Sequence, residues 1–498
     1  MENKMLYYST RDTQKKHGYT SAEAIKKGLA DDGGLFVPES IPSLSKDEIT
    51  ELCALSYPVR AAKILSAFLS DYTYDELLAD CQAAYSESSF VGGAAPLKNI
   101  EEGVYTLELW HGPTAAFKDM ALQIMPRLLS RALVKTNEKR TALILVATSG
   151  DTGKAALEGY KDIPGIKIMV YYPVDGVSRV QKLQMATQTG DNVGVCAIRG
   201  NFDDAQNGVK AIFADTEMAE RLDKKGYILS SANSINWGRL APQIVYYVSA
   251  YCDLLSEGKI KFGDKMNVCV PTGNFGNIFA AYIARLMGLP IGKLICASNT
   301  NNVLTDFFNS GIYNRNRDFH MTISPSMDIL ISSNLERLLY FTAGAEKTAD
   351  YMSKLKAEGK YSVSEDILSA IGSDFKGYFA SEADTSATIK SCFEENGELI
   401  DTHTAVGLYC AKKYIAESGD KTVTVVASTA SPYKFAADVY TALSGNKPED
   451  ALAALDLLTS DTKTEIPYPL KDIASRKVRF TETIDASEMP AKVLEFAK

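Results

Sequence analysis

The chain has 498 residues, of which 46% are hydrophobic and 23% are charged. These values are those of an ordinary globular protein, and they exclude a disordered, collagen-like or coiled-coil chain. The length predicts roughly two to four domains. With 53 lysines and arginines against 62 aspartates and glutamates, the formal net charge is −9. A surface of this sign repels nucleic acid and anionic lipid, so we expect neither as a partner.

Cysteine and histidine usage argues against a disulfide framework and against a metal site. The eight cysteines show no CxxC spacing, which is typical of reduced, buried thiols in a cytoplasmic protein. The four histidines form no HxH or HExxH pair, so we expect no metal. The N-terminus lacks the apolar stretch of a signal peptide, and we find no apolar run long enough to span a bilayer. The protein is therefore expected to be cytoplasmic and not attached to a membrane.

The chain changes character after a Ser- and Gly-rich connector at residues 86–93. The residues before it are mixed helix and loop, whereas from about residue 100 short β-rich runs alternate with helical runs. This alternation predicts an α/β protein with parallel sheets that helices cover on both faces. Residues 305–400 are predicted to be mainly helical and, because a strand follows them, are interpreted as an insertion. The predicted strands are 104–109, 142–147, 166–172, 193–198, 266–271, 293–297 and 422–427, and the predicted helices are 116–134, 153–160, 178–188, 203–222, 240–255 and 276–287.

In open α/β sheets ligands bind beyond the carboxyl ends of the strands, so the segments that follow the predicted strands are the candidates for a site. The first of them, residues 111–120, opens a helix and contains Lys118 in an apolar setting. A helix start disfavours a cation, and burial would lower the pKa of the lysine, which suits covalent Schiff-base chemistry. A surface lysine beside Asp119 is the alternative interpretation.

Two glycine-containing turns follow predicted strands and open helices, which suits an anion. They are residues 147–153 and residues 271–277. Glycines allow a ligand to approach the backbone, and the free N–H groups at a helix start bind anions. The first turn is not a P-loop because only two residues separate its glycines, and the second is not the GxGxxG dinucleotide motif. A plain capping turn is the alternative in each case.

Two further turns carry hydroxyl, amide and guanidinium groups. Residues 231–240 place amides and hydroxyls and then Arg239 before a long apolar helix, and arginine binds phosphate or carboxylate through two parallel N–H bonds. Residues 427–432 follow the last predicted strand and could place a hydroxyl against a heterocyclic nitrogen. Either turn could instead be a helix cap. Together, an early lysine and several anion-type turns at strand ends predict an amine nucleophile and a ligand with two anionic groups.

In this order, the motifs resemble those of the threonine synthases, pyridoxal-phosphate (PLP) enzymes of fold type II, the tryptophan synthase β class. The resemblance covers nearly the whole chain, although many relatives have a histidine where this chain has Ser431. The matching motifs are YSTR at residues 8–11, GLADDGGLFVP at 28–38, the Lys118 segment, TSGDTG at 148–153, NSINWGR at 233–239, PTGNFGN at 271–277 and STASP at 428–432.

The resemblance implies two open, mainly parallel sheet lobes covered by helices. An N-terminal domain would occupy residues 1–95 and a smaller lobe residues 136–229. The large PLP-binding lobe would comprise residues 96–135 and 230–498, including the helical insertion.

The resemblance also implies the roles of individual residues. Lys118 would hold PLP covalently and act as the catalytic base. The other implied contacts are Phe117, Asp151, Gly273, Asn274, Phe275, Gly276, Asn277 and either Ser428 or Thr429 for the cofactor, Ser149 and Thr152 for the substrate carboxylate, and Asn233, Ser234, Asn236 and Arg239 for the substrate phosphate.

The implied reaction converts O-phospho-L-homoserine and water to L-threonine and phosphate, the last step of threonine biosynthesis, in a monomer or homodimer. Another enzyme of the class, such as a threonine dehydratase or a cysteine synthase, is one alternative because it shares the lysine and the glycine loop. The setting of Lys118 and the long N-terminal segment favour a threonine synthase. A catalytically silent, metabolite-binding relative would be expected to lose the lysine or the loop, and both are intact here.

Overall fold

The computed structural model describes residues 4–148, 150–175 and 177–498. The strands of these residues are β1 (Tyr7–Ser9), β2 (Phe36–Pro38), β3 (Leu97–Glu101), β4 (Val104–Glu108), β5 (Thr141–Ala147), β6 (Ile166–Pro173), β7 (Val193–Arg199), β8 (Tyr227–Ser230), β9 (Met266–Pro271), β10 (Ile291–Ser298), β11 (Ile312–Asn314), β12 (Lys360–Ser362), β13 (Phe375–Phe379), β14 (Val423–Ser428) and β15 (Thr483–Asp485).

Their helices are α1 (Ser21–Lys27), α2 (Lys46–Cys53), α3 (Tyr57–Phe68), α4 (Tyr74–Ala84), α5 (Asp119–Leu122), α6 (Met125–Lys135), α7 (Asp151–Tyr160), α8 (Arg179–Ala186), α9 (Phe202–Ala214), α10 (Thr216–Lys224), α11 (Trp237–Ser256), α12 (Gly276–Leu286), α13 (Val303–Ser310), α14 (Leu335–Glu358), α15 (Glu365–Asp374), α16 (Glu382–Asn396), α17 (Thr402–Ser418), α18 (Ala436–Ser444), α19 (Ala453–Thr462) and α20 (Met489–Phe496). Within the described ranges, no helix is both long enough and apolar enough to cross a membrane.

Two open sheets form the centre of the molecule. The larger has the order β13-β10-β9-β14-β4-β3, and the smaller has the order β15-β7-β6-β5-β8. All neighbours are parallel except β3 and β4, which are antiparallel. Inner strands such as β9 are buried along their whole length because helices cover both faces of the sheet. The predicted α/β class with two mainly parallel sheets is confirmed.

All seven predicted strands are present, with ends within about two residues of the prediction, but two predicted helices are each divided. The run at 116–134 forms α5 and α6, because Pro126 in the first turn of α6 cannot donate an N–H to the preceding turn. The run at 203–222 forms α9 and α10, because the side chain of Asp215 accepts from the N–H of Met218 and caps α10.

Two segments return to the sheets from distant parts of the chain. β13, within the segment 305–400, forms the edge of the larger sheet beside β10, and β15, near the C-terminus, pairs with β7 of the smaller sheet. Neither strand was predicted, because each is short and pairs only with residues far away in sequence. We therefore propose the predicted division into an N-terminal domain and two lobes, with one change. Residues 483–496 are assigned to the smaller lobe instead of the large one.

Helix α11 is the buried axis of the fold. All but three of its 20 residues are buried, and it contacts α2 and α3 of the N-terminal domain as well as α5 and α12. Arg239 lies in its first turn, so this guanidinium is held by a rigid element rather than by a loop.

Helix α7 of the smaller lobe approaches the backbone of α5 at Gly159. A methyl group on Gly159 would lie 1.8 Å from the carbonyl oxygen of Leu122. Because Lys118 directly precedes α5, this contact sets the lysine relative to the smaller lobe.

Gly159→Ala is expected to destabilise the protein by about 1–3 kcal/mol, since overpacking against a carbonyl forces the two helices apart. Gly372→Ala is the matched control in α15, because a Cβ there meets nothing within 4 Å. Alanine within a helix is favoured over glycine by about 0.5–1 kcal/mol, so the control should be slightly stabilised. Differential scanning calorimetry of the three proteins measures both shifts, and an unchanged midpoint for Gly159→Ala would contradict the close contact.

Candidate active site

The candidate site lies at the carboxyl ends of neighbouring strands, as expected from the sequence. In the larger sheet the strands β4, β14 and β9 are adjacent. β4 leads into the Lys118 segment, β14 into the turn at 428–431, and β9 into the glycine loop at 272–277. In the smaller sheet β5 and β8 are adjacent, and they lead into the turn before α7 and the segment before α11. Parallel pairing therefore gathers turns from distant parts of the chain at shared sheet edges.

Backbone hydrogen bonds fix the Lys118 loop to the turn after β14. The N–H of Phe117 donates to the carbonyl of Thr429 at 2.8 Å, and the N–H of Ser431 donates to the carbonyl of Ala115 at 3.1 Å. The ring of Phe117 lies with its centroid 5.0 Å from Nζ of Lys118. The lysine is therefore held by main-chain contacts on either side and is not at the end of a free loop.

Lys118 differs from the two buried lysines near it, Lys154 and Lys434. Nζ of Lys154 lies 3.0 Å from Glu158, and Nζ of Lys434 lies 3.1 Å from Asp151. Among the residues that the structure describes, Nζ of Lys118 has no hydrogen-bond acceptor and no acidic partner in contact. Lys118 is therefore the amine of this region that is left free to react.

Burial favours the neutral form of Lys118. Burial lowers the pKa of this lysine, and the nearby cations of Lys434 and Arg239 lower it further, although the carboxylate of Asp151 opposes them. A neutral amine is the form that acts as a nucleophile or a base.

Asp151 and Lys434 form a buried ion pair beside Lys118. Oδ1 of Asp151 accepts from Nε2 of Gln181 at 2.9 Å, and Nζ of Lys434 also donates to the carbonyl of Thr114 at 2.7 Å. Burial alone would raise the pKa of Asp151, but the ammonium group of Lys434, the charge of Lys118 when that lysine is protonated and the bond from Gln181 hold it well below its usual range. The pair joins α7 of the smaller lobe to the turn after β14, and Asp151 stays ionised.

Asp119 shapes the turn that presents Lys118. Its two carboxylate oxygens accept from the N–H and the hydroxyl of Thr114 at 2.8 and 2.7 Å. Gly112 leaves the space for it, because a Cβ at Gly112 would lie 2.6 Å from this side chain. Burial raises the pKa of Asp119 to about 6, against the lowering effect of the bonds from Thr114.

The glycine loop has the chemistry of an anion site. Phe275 has a left-handed backbone with φ 64°, and in the described residues the N–H groups of Asn274, Phe275 and Gly276 donate to no protein acceptor. These groups precede or open the 11-residue helix α12, whose N-terminus favours negative charge. At Gly273 a Cβ would lie 2.7 Å from the carbonyl oxygen of Ser326, so no larger residue fits. The loop is therefore suited to hold a phosphate group.

Asn277 offers one more free donor beside this loop. Its Oδ1 accepts from the hydroxyls of Tyr246, at 2.9 Å, and of Tyr247. Its Nδ2 is buried and has no partner among the described residues. A buried donor of this kind costs free energy unless a ligand supplies an acceptor.

Arg239 is a second place suited to an anion. Its Nη1 donates to the carbonyl of Ala232, but its Nε is buried with no partner among the described residues, and no carboxylate of that part of the chain pairs with it. Burial lowers the pKa of Arg239 to about 10, so it still carries its charge at neutral pH. A buried guanidinium without a counter-ion is suited to binding phosphate or carboxylate.

The residues around Arg239 differ in how far they can contribute. Asn233 is exposed, while Ser234 and Thr152 are partly buried, and Ser149 lies outside the described residues. Asn236 does not fit the expected anion contact: its Oδ1 caps α11 at the N–H of Gly238, and its Nδ2 donates to the carbonyl of Ile25. Both polar atoms of Asn236 already have protein partners, so the helix-cap interpretation is the one that the structure supports.

The two hydroxyls after β14, between which the sequence left the choice open, have different surroundings. Oγ of Ser428 lies 3.0 Å from Nε1 of Trp110 and 3.0 Å from Oγ1 of Thr404. Oγ1 of Thr429 has no partner among the described residues, although Thr429 is only 7% exposed. Both bonds of Ser428 use its oxygen as the acceptor, so its own O–H is available to a ligand, as is the hydroxyl of Thr429.

Three residues of the site were not found from the sequence. Lys434 had a visible signal, since it is a lysine within the apolar run that follows the STASP motif. Gln181 and Asn334 had none, because Gln181 meets the site through its bond to Asp151 and Asn334 through its bond to the carbonyl of Asn274, and both partners lie far away in the chain.

Three family models match the chain in succession. They are "Threonine synthase N terminus" at residues 6–85, "Pyridoxal-phosphate dependent enzyme" at residues 92–429 and "Threonine synthase, C-terminal" at residues 404–492. The chain is also 37% identical over 476 residues to threonine synthase of Pseudomonas aeruginosa, which covers 94% of this chain and 97% of that protein. The chain belongs to the threonine synthase family of PLP-dependent enzymes.

Other members of the threonine synthase family agree in sequence and fold. The chain is 40% identical over 435 residues, 85% of its length, to "Threonine synthase-like 1" of Homo sapiens, but it spans only 58% of that longer relative. The structure of PLP-bound threonine synthase from Brucella melitensis superposes with a TM-score of 0.88 at 36% identity, covering 99% of this chain and 100% of that one. The shared fold therefore extends over the whole chain.

The raised pKa of Asp119 predicts a particular pH dependence of stability. Because the pKa rises from 3.8 to about 6 on folding, the folded state binds this proton more tightly than the unfolded chain. The stabilising contribution is fully present below pH 3.8 and is lost as the pH rises through 6. Asp119→Asn should remove this loss, so its stability relative to wild type should increase by roughly 2–3 kcal/mol between pH 4 and pH 7. Thermal unfolding of both proteins across this range measures the difference, and a difference independent of pH would contradict the shift.

Proposed function

We propose that this protein is a threonine synthase that converts O-phospho-L-homoserine and water to L-threonine and phosphate with PLP as cofactor. One observation carries the proposal: the free amine of Lys118 is accompanied by two separate places with unpaired donors, the glycine loop with Asn277 and the guanidinium of Arg239. PLP and phosphohomoserine each carry a phosphate. A site for both needs two anion-binding places and one reactive lysine.

The residues of the larger lobe fit PLP. Asn274, Phe275 and Gly276 would hold its phosphate through their free N–H groups, and Lys118 would bond to it covalently. Either Ser428 or Thr429 would meet its ring nitrogen through a free hydroxyl. The remaining proposed contacts are Phe117 and Asp151, which flank Lys118, and Gly273 and Asn277, which complete the loop.

Arg239 and the smaller lobe fit the substrate. Arg239 would bind the phosphate of phosphohomoserine together with Ser234 and Asn233. The substrate carboxylate would lie at the start of α7, where Thr152 stands in the first turn and Ser149 precedes the helix. A helix start favours this negative charge.

The proposed chemistry divides between the cofactor and the chain. PLP, when bound, withdraws electrons from the carbon atoms of the amino acid joined to it. Lys118 takes protons from the substrate and returns them, and its lowered pKa favours the neutral form that accepts a proton. Arg239 stabilises the charge that builds on the departing phosphate. The Asp151–Lys434 pair keeps the surroundings of Lys118 close to electrically neutral.

A threonine dehydratase is the second function to consider, because it would use the same lysine and glycine loop. Its substrate carries no phosphate, so a buried guanidinium without a counter-ion would have no task in it. Arg239 therefore favours the synthase.

We also place the enzyme in the cytoplasm. All eight cysteines are free in the structure, and all except the partly buried Cys53 are buried. Unpaired thiols are typical of a reducing compartment.

The decisive assay compares two products from the purified holoenzyme. We expect phosphate release from O-phospho-L-homoserine to exceed 2-oxobutyrate formation from L-threonine by a wide margin. Lys118→Ala should abolish the visible absorbance of bound PLP and lower turnover roughly a thousandfold or more. Lys154→Ala, which removes a buried lysine that already has an acidic partner, should keep the absorbance. Dominant 2-oxobutyrate would make the enzyme a dehydratase, and a borohydride-reducible band in Lys118→Ala would assign the cofactor to another lysine.

Arg239→Ala is expected to raise KM for phosphohomoserine roughly 10- to 100-fold, the effect of losing one or two bonds to a charged group. The affinity for PLP should fall much less. Arg239→Lys keeps the charge but loses the forked geometry, so an intermediate KM is expected. Steady-state kinetics and PLP titration of each apoenzyme give the two values, and an equal loss of both would place Arg239 at the cofactor.

A further inference from the structure

The start of α14 lies against both candidate anion sites. This helix belongs to the segment 305–400, to which the proposed reaction gives no role. Asn334 directly precedes α14 and Arg337 lies in its first turn, and both side chains are fully buried with 0% exposure. Burying an amide and a guanidinium is unfavourable unless every polar atom finds a partner, so their partners show what they hold in place.

The side chain of Asn334 joins the glycine loop to the segment before α11. Its Nδ2 donates to the carbonyl of Asn274 at 2.9 Å and to the carbonyl of Ser234 at 3.4 Å. Its backbone N–H also donates to the carbonyl of Asn274, at 3.1 Å. Its Oδ1 accepts from Nη1 of Arg337, which sets the orientation of the amide. Asn334 therefore uses both amide protons on carbonyls of two different loops.

The neighbouring carbonyls on both loops are held from the same side. Oγ of Ser332 donates to the carbonyl of Gly273 at 2.6 Å. Nη2 of Arg337 donates to the carbonyl of Ile235 at 2.6 Å, and its Nε donates to the carbonyl of Phe36 at 3.0 Å. Two successive carbonyls of each loop thus point towards the start of α14.

The held carbonyls determine where the next N–H groups point. In a trans peptide the C=O of one residue and the N–H of the next point in opposite directions. Holding the carbonyls of Gly273 and Asn274 therefore turns the N–H groups of Asn274 and Phe275 away from α14, and these are free donors of the glycine loop. Holding the carbonyl of Ser234 turns the N–H of Ile235 away in the same manner. Successive N–H groups fixed in this way form an anion nest.

We propose that Asn334 is a positioning residue for both anion sites. This single side chain of the segment 305–400 holds the glycine loop, where the cofactor phosphate would bind, and the segment before α11, where the substrate phosphate would bind, in fixed positions relative to each other. This deepens the proposed function and rests on it for the identity of the two ligands. Ser332 supports the glycine loop alone. Arg337 orients the amide of Asn334 and supports the segment before α11.

The test measures binding at the two sites without turnover. PLP is titrated into the apoenzyme, and its binding is followed by its absorbance. Inorganic phosphate is titrated into the holoenzyme, in which PLP already occupies the glycine loop, and its binding is measured by isothermal titration calorimetry. Asn334→Ala is expected to weaken both affinities by roughly five- to tenfold each, about one hydrogen bond per site. Ser332→Ala should weaken PLP binding by a similar factor and leave phosphate binding unchanged.

Glu336→Gln is the matched control from the same helical turn. Glu336 binds Thr10 at 2.6 Å and Arg11 at 2.8 and 2.9 Å and touches neither loop, so this variant should lower the unfolding temperature and leave both affinities unchanged. Wild-type affinities in Asn334→Ala, or a loss of only one of them, would overturn the proposal. If Asn334→Ala does not fold, Asn334→Asp decides, because it keeps the acceptor for Arg337 and loses the amide donors: wild-type affinity at either site there would also overturn the proposal.

The positioning role of Asn334 and the proposed reaction can be refuted independently of each other. Wild-type protein that binds PLP and phosphate but releases no phosphate from phosphohomoserine would refute the proposed reaction. The affinities of the Asn334 and Ser332 variants would still decide whether this segment positions the two sites.

Discussion

The site depends on donors that the protein leaves unpaired. Nε of Arg239, Nδ2 of Asn277 and the N–H groups of the glycine loop have no protein acceptor in the described residues. Each unpaired buried donor costs about 1–3 kcal/mol, so the surrounding structure must keep it from turning towards a partner. The buried helix α11 and the fully buried Phe275 ring provide that rigidity. An anion that enters the site finds donors already in place and need not reorganise them.

The charges around the reactive lysine also depend on a buried pair. Asp151 alone would draw a proton onto Lys118, but it is paired with Lys434 and hydrogen-bonded to Gln181. The pair leaves little net charge beside Lys118, so burial determines the direction of its pKa shift. The same pair connects the two lobes, which makes the electrostatics of the lysine depend on their relative position.

The parts of the chain outside the two sheets also contribute to the site. The N-terminal domain is joined to α14 through the ion pair of Arg11 with Glu336 and through the bond from Arg337 to the carbonyl of Phe36. Asn334 continues this connection to the glycine loop. An insertion that looks peripheral in sequence thus becomes part of the support for the ligand-binding loops, because its first turn is fully buried against them.

The sequence by itself determined the α/β class, the seven main strands and the turns that carry the chemistry, because alternating apolar strands and helix-opening turns are local patterns. It placed Lys118, the glycine loop and Arg239 for the same reason. Only the tertiary structure paired Ser428 with Trp110, made Asn236 a helix cap, and brought Lys434 to Asp151 and Asn334 to Asn274. Those outcomes depend on which buried polar group finds a partner, and the partners come from distant segments that meet only when the sheets and helices pack.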